Sequence, residues 1–196
     1  RGFLTLDDVD ARGKSVFLRL DLNLPIDPST GRILDDSRAR AAIPTIKDLG
    51  EAKLVVASHQ GRPGKDDFVS MAGHAEVLSK LLGREVKFVE DVIGPAAIEA
   101  IKALKPGEVL LLDNLRLCSE ETIEGPPKKL AKTRMARRLA PLFELFVNDA
   151  FAAAHRSQTS LVAFTEYMPS AAGRIMEREL DVLEKLAKAP ERPCVY

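Results

Sequence analysis

The sequence is sparing in the features that usually sort a protein at sight. Its two cysteines, Cys118 and Cys194, lie far apart and in no CxxC or Cys/His ligand spacing. That argues against a disulfide framework and for free thiols in a reducing compartment. No HExxH or clustered Cys/His spacing occurs either, so no metal site is expected. No apolar run approaches the roughly 18 residues that cross a bilayer, and the N-terminus lacks the apolar region of a signal peptide. The reading is a cytoplasmic chain. Net charge is also lacking: Lys plus Arg equals Asp plus Glu at 29 each, so no global field draws the protein to nucleic acid or membrane. Any anion site must then be a local concentration of arginine. Nucleotide fingerprints are missing too. Residues 61–66, GRPGKD, end in GK, but a Walker A loop needs Gly where His59 stands and Ser or Thr where Asp66 stands, and no GxGxxG follows a strand.

What is present is ordinary for a soluble globular protein: 45% hydrophobic and 30% charged residues in a chain of 196. At about 150 residues per domain this is one large domain, or one with a short extension. Short runs rich in Val, Leu and Phe alternate with segments of helical period. The runs are 15–21 (SVFLRLD), 53–58 (KLVVAS), 85–89 (EVKFV), 108–113 (EVLLLD) and 144–149 (ELFVND). Several are nearly continuous in apolarity, as strands covered on both faces are. A helix is predicted from Arg38, with Ala42, Ile43, Ile46 and Leu49 on its apolar side. Ser70 is a candidate cap for 71–82, with Gly83 as its stop, and Pro95 suits the first turn of 95–103. Further helices are expected over 132–142 and over 171–189, where Met176, Leu180, Leu183 and Ala187 form a stripe. Long loops are expected at 24–36 and 118–130. Strand and helix alternating in this way predict an α/β three-layer sandwich, a Rossmann-like parallel sheet with helices on both faces.

In an open parallel sheet, ligands bind beyond the carboxyl ends of the strands. The first run ends with Arg19, Asp21 and Asn23, the second with Ser58, His59 and Arg62, the fourth with Asp113, Asn114 and Arg116, and the fifth with Asn148, Asp149, His155 and Arg156. Arg38 stands at the start of the first helix. Guanidinium groups match phosphate and carboxylate oxygens bidentately. One arginine after a strand is ordinarily a solvated residue or an ion-pair partner, and Asp113 and Asp149 suit helix caps or loop braces. His74, inside a helix, reads as a surface or half-buried residue. The case for an anion site rests on convergence.

The stretches RLDLNLP, DDSRARAAIPTI, ASHQGRP, LLDNLR, VNDAFAAAHR and AAGRIMEREL resemble, in order and approximate spacing, the N-terminal domain of phosphoglycerate kinases, and the LDDSR form is closer to archaeal members. The resemblance covers almost the whole chain. It implies reversible phosphoryl transfer between 1,3-bisphosphoglycerate and ADP, giving 3-phosphoglycerate and ATP. Mg²⁺ with ATP or ADP would be held mainly by a second, C-terminal lobe, and no cofactor is expected in this chain. The resemblance marks Asp21, Leu22, Asn23, Arg38, His59, Gln60, Gly61, Arg62, Arg116 and Arg156 as substrate-binding, Arg38 also as catalytic. The chain departs from the family at Asp113, where Glu is commoner, at Gln60, often Leu, and at Ala152, often Gly. It implies a phosphoglycerate-binding domain over 1–170, an interdomain helix over 171–189 and the opening of the second lobe over 190–196. An initial Arg and a final RPCVY suggest a fragment, binding substrate without turning it over. The competing expectation is a stand-alone module binding a phosphorylated acid without catalysis.

Overall fold

Val16, Phe17 and Leu18 are all fully buried, which requires cover on both faces. They form β1 (Ser15–Arg19), near the middle of a six-stranded sheet in the computed structural model, which describes residues 2–188. The other strands are β2 (Lys53–Ala57), β3 (Lys87–Val89), β4 (Val109–Leu112), β5 (Leu145–Asn148) and β6 (Ser170–Ala172), in the order β3-β4-β2-β1-β5-β6. Every pairing is parallel. The α/β architecture is the expected one.

Among the described residues seven α-helices connect or follow the strands: α1 (Ser37–Asp48), α2 (Ala72–Leu82), α3 (Pro95–Ala103), α4 (Pro127–Leu130), α5 (Arg134–Leu139), α6 (Thr159–Val162) and α7 (Arg174–Lys188). Successive strand residues point to opposite faces, and this divides the core in two. Val16, Leu18, Leu54, Val56 and Val147 pack with Ala42 and Ile46 of α1 and Leu78 of α2. Phe17, Val55, Leu110 and Phe146 face the other way, onto Ile101 of α3 and Met135 and Leu139 of α5. Phe17 anchors that second layer, with its ring centroid 4.6 Å from Phe164 and 5.2 Å from Phe143.

The structure corrects the predicted boundaries in three places. Residues 170–172 are strand, not the start of the last helix. Ser-Ala-Ala has no strand signature, but pairing of Phe146 with Ser170 and Asn148 with Ala172 fixes it as the sheet edge. The sheet thus runs past residue 170, and α7 begins at Arg174; Ala189 and the stretch 190–196 lie outside the described residues. Residues 132–142 form only the short α5, capped by the Thr133 hydroxyl and closed by a 3-10 turn containing Pro141. The expected loop at 118–130 holds a 3-10 turn, Ser119–Thr122, and α4.

α2 starts at Ala72. The Ser70 hydroxyl accepts from the Ala72 amide at 3.2 Å, while Asp113 Oδ1 accepts from the Met71 amide at 2.9 Å. Gly83, with φ of +70°, ends the helix as expected. His74 is buried rather than at the surface, its Nε2 lying 2.9 Å from Gln60 Oε1.

Candidate functional site

The carboxyl ends of β1, β2, β4 and β5 open onto one crevice. Just beyond β1, Asp21 turns its carboxylate toward Arg38, in the first turn of α1. Arg38 Nη1 donates to Asp21 Oδ1 at 3.2 Å and to the Asn23 carbonyl at 3.1 Å. Asn23 uses its Oδ1 to accept from the Gly61 amide at 3.0 Å, tying the β1 exit to the β2 exit.

Gly61 holds φ at +66°, and a Cβ there would meet the Asp67 backbone at 2.6 Å. Only glycine takes this bend without strain. The bend sends Arg62 outward on one side of the crevice and lets Arg116 Nη1 donate to the Gly61 carbonyl. Arg116 is itself placed by a short turn after β4, whose first residue Asn114 accepts from the Arg116 amide at 3.1 Å. After β5, a turn over Phe151–Ala153 carries the chain to His155 and Arg156.

These ends enclose a cavity of about 330 Å³ lined by Asp21, Asn23, Arg38, His59, Arg62 and Arg156, with Gly61, Lys65, Asp67, Arg116, Ala152, Ala153 and His155. Its outer wall is cationic. Arg62, Arg116 and Arg156 have no carboxylate within ion-pair distance among the described residues. Burial, followed by the charges of Arg156 and Arg62, presses the Arg116 pKa below its ordinary value. Three guanidinium groups facing one hollow with so little compensation leave a site that gains when an anion enters.

His59 presents a different character. It is buried, and desolvation, then Arg19, Arg116, Arg156 and Arg38, push its pKa from 6.5 down to about 2. Its ring is therefore a neutral hydrogen-bonding group.

Of the ten substrate-binding candidates, the cavity gathers eight. Leu22 and Gln60 are not among its lining residues. Leu22 is fully buried and its amide donates to Ser58 Oγ at 2.8 Å. Gln60 is equally buried. Its side chain accepts from the Leu24 amide at 2.8 Å and donates to the Leu24 carbonyl at 3.0 Å. Asn114 occupies its backbone groups. Both residues brace the loop that carries Asn23. Lys65 and Asp67 were not singled out in the sequence; their signal was proximity to the Gly61–Gly64 bend, where the chain doubles back on Arg62.

On the far side of the arginine wall is a wider hollow of about 730 Å³, reaching Pro63, Phe68, Leu117 and Thr122 and sharing Arg62, Arg116 and Arg156. The polar groups of four strand ends meet only in the smaller cavity, and the site is assigned there. Asp113 and Asp149, by contrast, spend their carboxylates on helix amides. Among the described residues no group of three or more His, Cys, Asp or Glu is placed to hold a metal ion, and no helix is long and apolar enough to cross a membrane.

Fold and crevice together define an open parallel α/β domain with an arginine-rich cavity at the carboxyl edge of its sheet. A family model described as phosphoglycerate kinase matches residues 6–196. The chain belongs to the phosphoglycerate kinase family. It is 52% identical over 196 residues to the phosphoglycerate kinase of Methanothermobacter thermautotrophicus, covering 99% of this chain and 48% of that protein. It is 53% identical over 194 residues to that of Saccharolobus solfataricus, covering 98% and 47%. The crystal structure of phosphoglycerate kinase from Pyrococcus horikoshii superposes with a TM-score of 0.93 at 42% identity, over 97% of this chain and 47% of that one. For the Coxiella burnetii enzyme the TM-score is 0.78 at 32% identity, over 97% and 46%. The chain spans about half the length of the curated relatives it matches.

Proposed function

We propose that this chain is the substrate-holding half of a cytoplasmic phosphoglycerate kinase. The whole enzyme would transfer a phosphoryl group reversibly from 1,3-bisphosphoglycerate to ADP, giving 3-phosphoglycerate and ATP. The observation that carries the reading is the cavity's polarity: Arg62, Arg116, Arg156 and His59 on one side, Asp21, Asn23 and Arg38 on the other. A small acid with a phosphate at one end and a carboxylate at the other has matching ends. The cationic wall grips the distal phosphate. Asp21 accepts from the glycerate hydroxyl, Asn23 helps to fix the same end, and Arg38 lies against the carboxylate and the phosphoryl group in transit.

Phosphoryl transfer asks for positioning and charge stabilisation more than covalent chemistry. Arg38 is suited to the second task because it is half exposed, at 51% side-chain exposure, and held only through Asp21 and the Asn23 carbonyl. It can pivot toward an arriving charge.

The family's Mg²⁺ with ATP or ADP does not fit the residues described. They offer no metal-ligating cluster, and the cavity wall would repel a cation. The nucleotide and its ion are assigned to a second lobe. α7 suits the connector role: Val182 and Leu183 stand about half exposed, at 47% and 51%, on a helix that packs by Met176 and Ile175 at its start.

Isothermal calorimetry on the chain tests the reading. Binding of 3-phosphoglycerate that weakens with added salt is expected. Absence of binding at low salt would overturn it.

A further inference from the structure

Behind the cavity, and sealed from it, lies a second polar system. Arg19, the last residue of β1, is fully buried. A buried guanidinium needs its donors satisfied and its charge answered. Its Nε donates to Ser160 Oγ at 2.8 Å, one terminal nitrogen donates to the Leu20 carbonyl, and Nη2 lies 2.9 Å from His59 Nδ1. Ser160 passes the chain on: its hydroxyl donates to Glu121 Oε1 and its amide donates to Glu121 Oε2 at 3.1 Å. Glu121 is itself fully buried. The buried charge therefore runs from Arg19 through Ser160 to Glu121, and its other end stops at the histidine ring.

A guanidinium has five donors and no acceptor. Facing one, His59 Nδ1 can only accept, so the ring proton must sit on Nε2. We propose that Arg19, which does not line the cavity, is a positioning residue that locks His59 as a neutral Nε2–H donor toward the bound ligand. Other charges near the ring point the same way. Arg38, Arg116 and Arg156 all disfavour a second proton, and the acids nearby are Asp21 and Asp67 at the cavity and Glu121 behind Ser160. A histidine left to itself in a cationic pocket would choose either tautomer, and one choice offers an anion a lone pair. The lock removes that choice.

What the donor is for rests on the functional reading above; the lock itself does not, and the test separates the two. With ¹⁵N-labelled chain, the ring nitrogens of ligand-free His59 should show a protonated Nε2 and an unprotonated Nδ1. The pattern should be unchanged between about pH 5 and 8, where an ordinary histidine titrates. In the paired variant Arg19→Met with Glu121→Gln, neither buried charge loses its counterpart alone. There His59 should populate both tautomers, and 3-phosphoglycerate affinity should fall roughly tenfold. An Nδ1-protonated or titrating His59 in the unaltered chain overturns the lock, as does a variant that keeps a single Nε2–H form. If the variant does not fold, the ring pattern of the unaltered chain still decides. If that pattern is as expected but neither 3-phosphoglycerate nor inorganic phosphate moves the Nε2 signal, the functional reading fails and the Arg19 assignment stands.

Discussion

Thr45, midway along α1, donates its hydroxyl to Oδ2 of Asp149, 104 residues further on, at 2.6 Å. The other oxygen of Asp149 accepts from the Ile175 and Met176 amides at 2.9 and 3.0 Å, so one carboxylate roots both α1 and α7 at the end of β5. Asp149→Ala leaves these donors without a partner and should cost about 1 to 3 kcal/mol in denaturant unfolding. Burial raises the Asp149 pKa, so the site disfavours the charge, and Asp149→Asn, which keeps an acceptor oxygen, should cost less than Ala. Equal losses would mean the charge, not the acceptor, matters.

The two buried histidines should each make stability fall with acid. Burial is the chief cause that lowers His59 to about 2 and His74 to about 4, from 6.5. Below about pH 6.5 the unfolded chain therefore binds protons that the folded chain refuses. The stabilisation is whole above that pH and is lost as pH falls toward the folded-state values, at about 1.4 kcal/mol per unit for each ring. His74→Gln should remove about half of this slope between pH 6 and 4, in unfolding curves taken at each pH. A slope unaltered by His74→Gln would show that protons already reach the folded ring.

Arg62→Ala and Arg156→Ala each remove a charged donor from the cationic wall. A charge-assisted bond is worth about 1.5 to 3 kcal/mol, so each change should weaken 3-phosphoglycerate binding at least roughly tenfold in calorimetry. Folding stability should not drop, because neither side chain carries an ion pair among the described residues. A variant with unchanged affinity would return that arginine to the ordinary surface.

Arg38 is expected to matter to rate. In an enzyme with both lobes, Arg38→Ala should lower kcat far more than it raises KM, since a contact made on the moving phosphoryl group is strongest at the transition state. An arginine so placed can be worth about 10³ in rate or more. The opposite split would make Arg38 a ground-state anchor for the carboxylate.

Gly61→Ala should damage the site from its floor. Both the positive φ and the 2.6 Å approach to Asp67 forbid a methyl group, and the bend would have to open by moving Arg62 away from Arg116. Loss of both stability and ligand affinity is expected, by thermal unfolding and calorimetry; a variant that binds normally would show that the bend can relax without cost.

The sheet was legible where strands are buried on both faces, because runs such as VFL and LVVA leave no polar face to hide. It was illegible at β6, where Ser170, Ala171 and Ala172 are too small to announce a strand and only the pairing with β5 decides. Likewise the site's cations were legible because arginine recurs at strand ends. Burial was not. Arg19 closes β1 itself, whereas Arg62, Arg116 and Arg156 lie beyond their strands, and it turns inward onto Ser160, which bonds Glu121, from segments with no sequence link to it. Leu22 and Gln60 entered the candidate set as members of a motif, and the fold shows that a motif residue can serve its neighbours' backbone.

The arginine wall has a practical consequence. A pocket lined by Arg62, Arg116 and Arg156 is a place where folding has accumulated repulsion, and any small anion that enters relieves it. Thermal melting of this chain will therefore depend on the buffer. Phosphate and sulfate will act as weak ligands as well as salts, and a melting temperature taken in either will exceed one taken in a buffer with no compact anion at equal ionic strength.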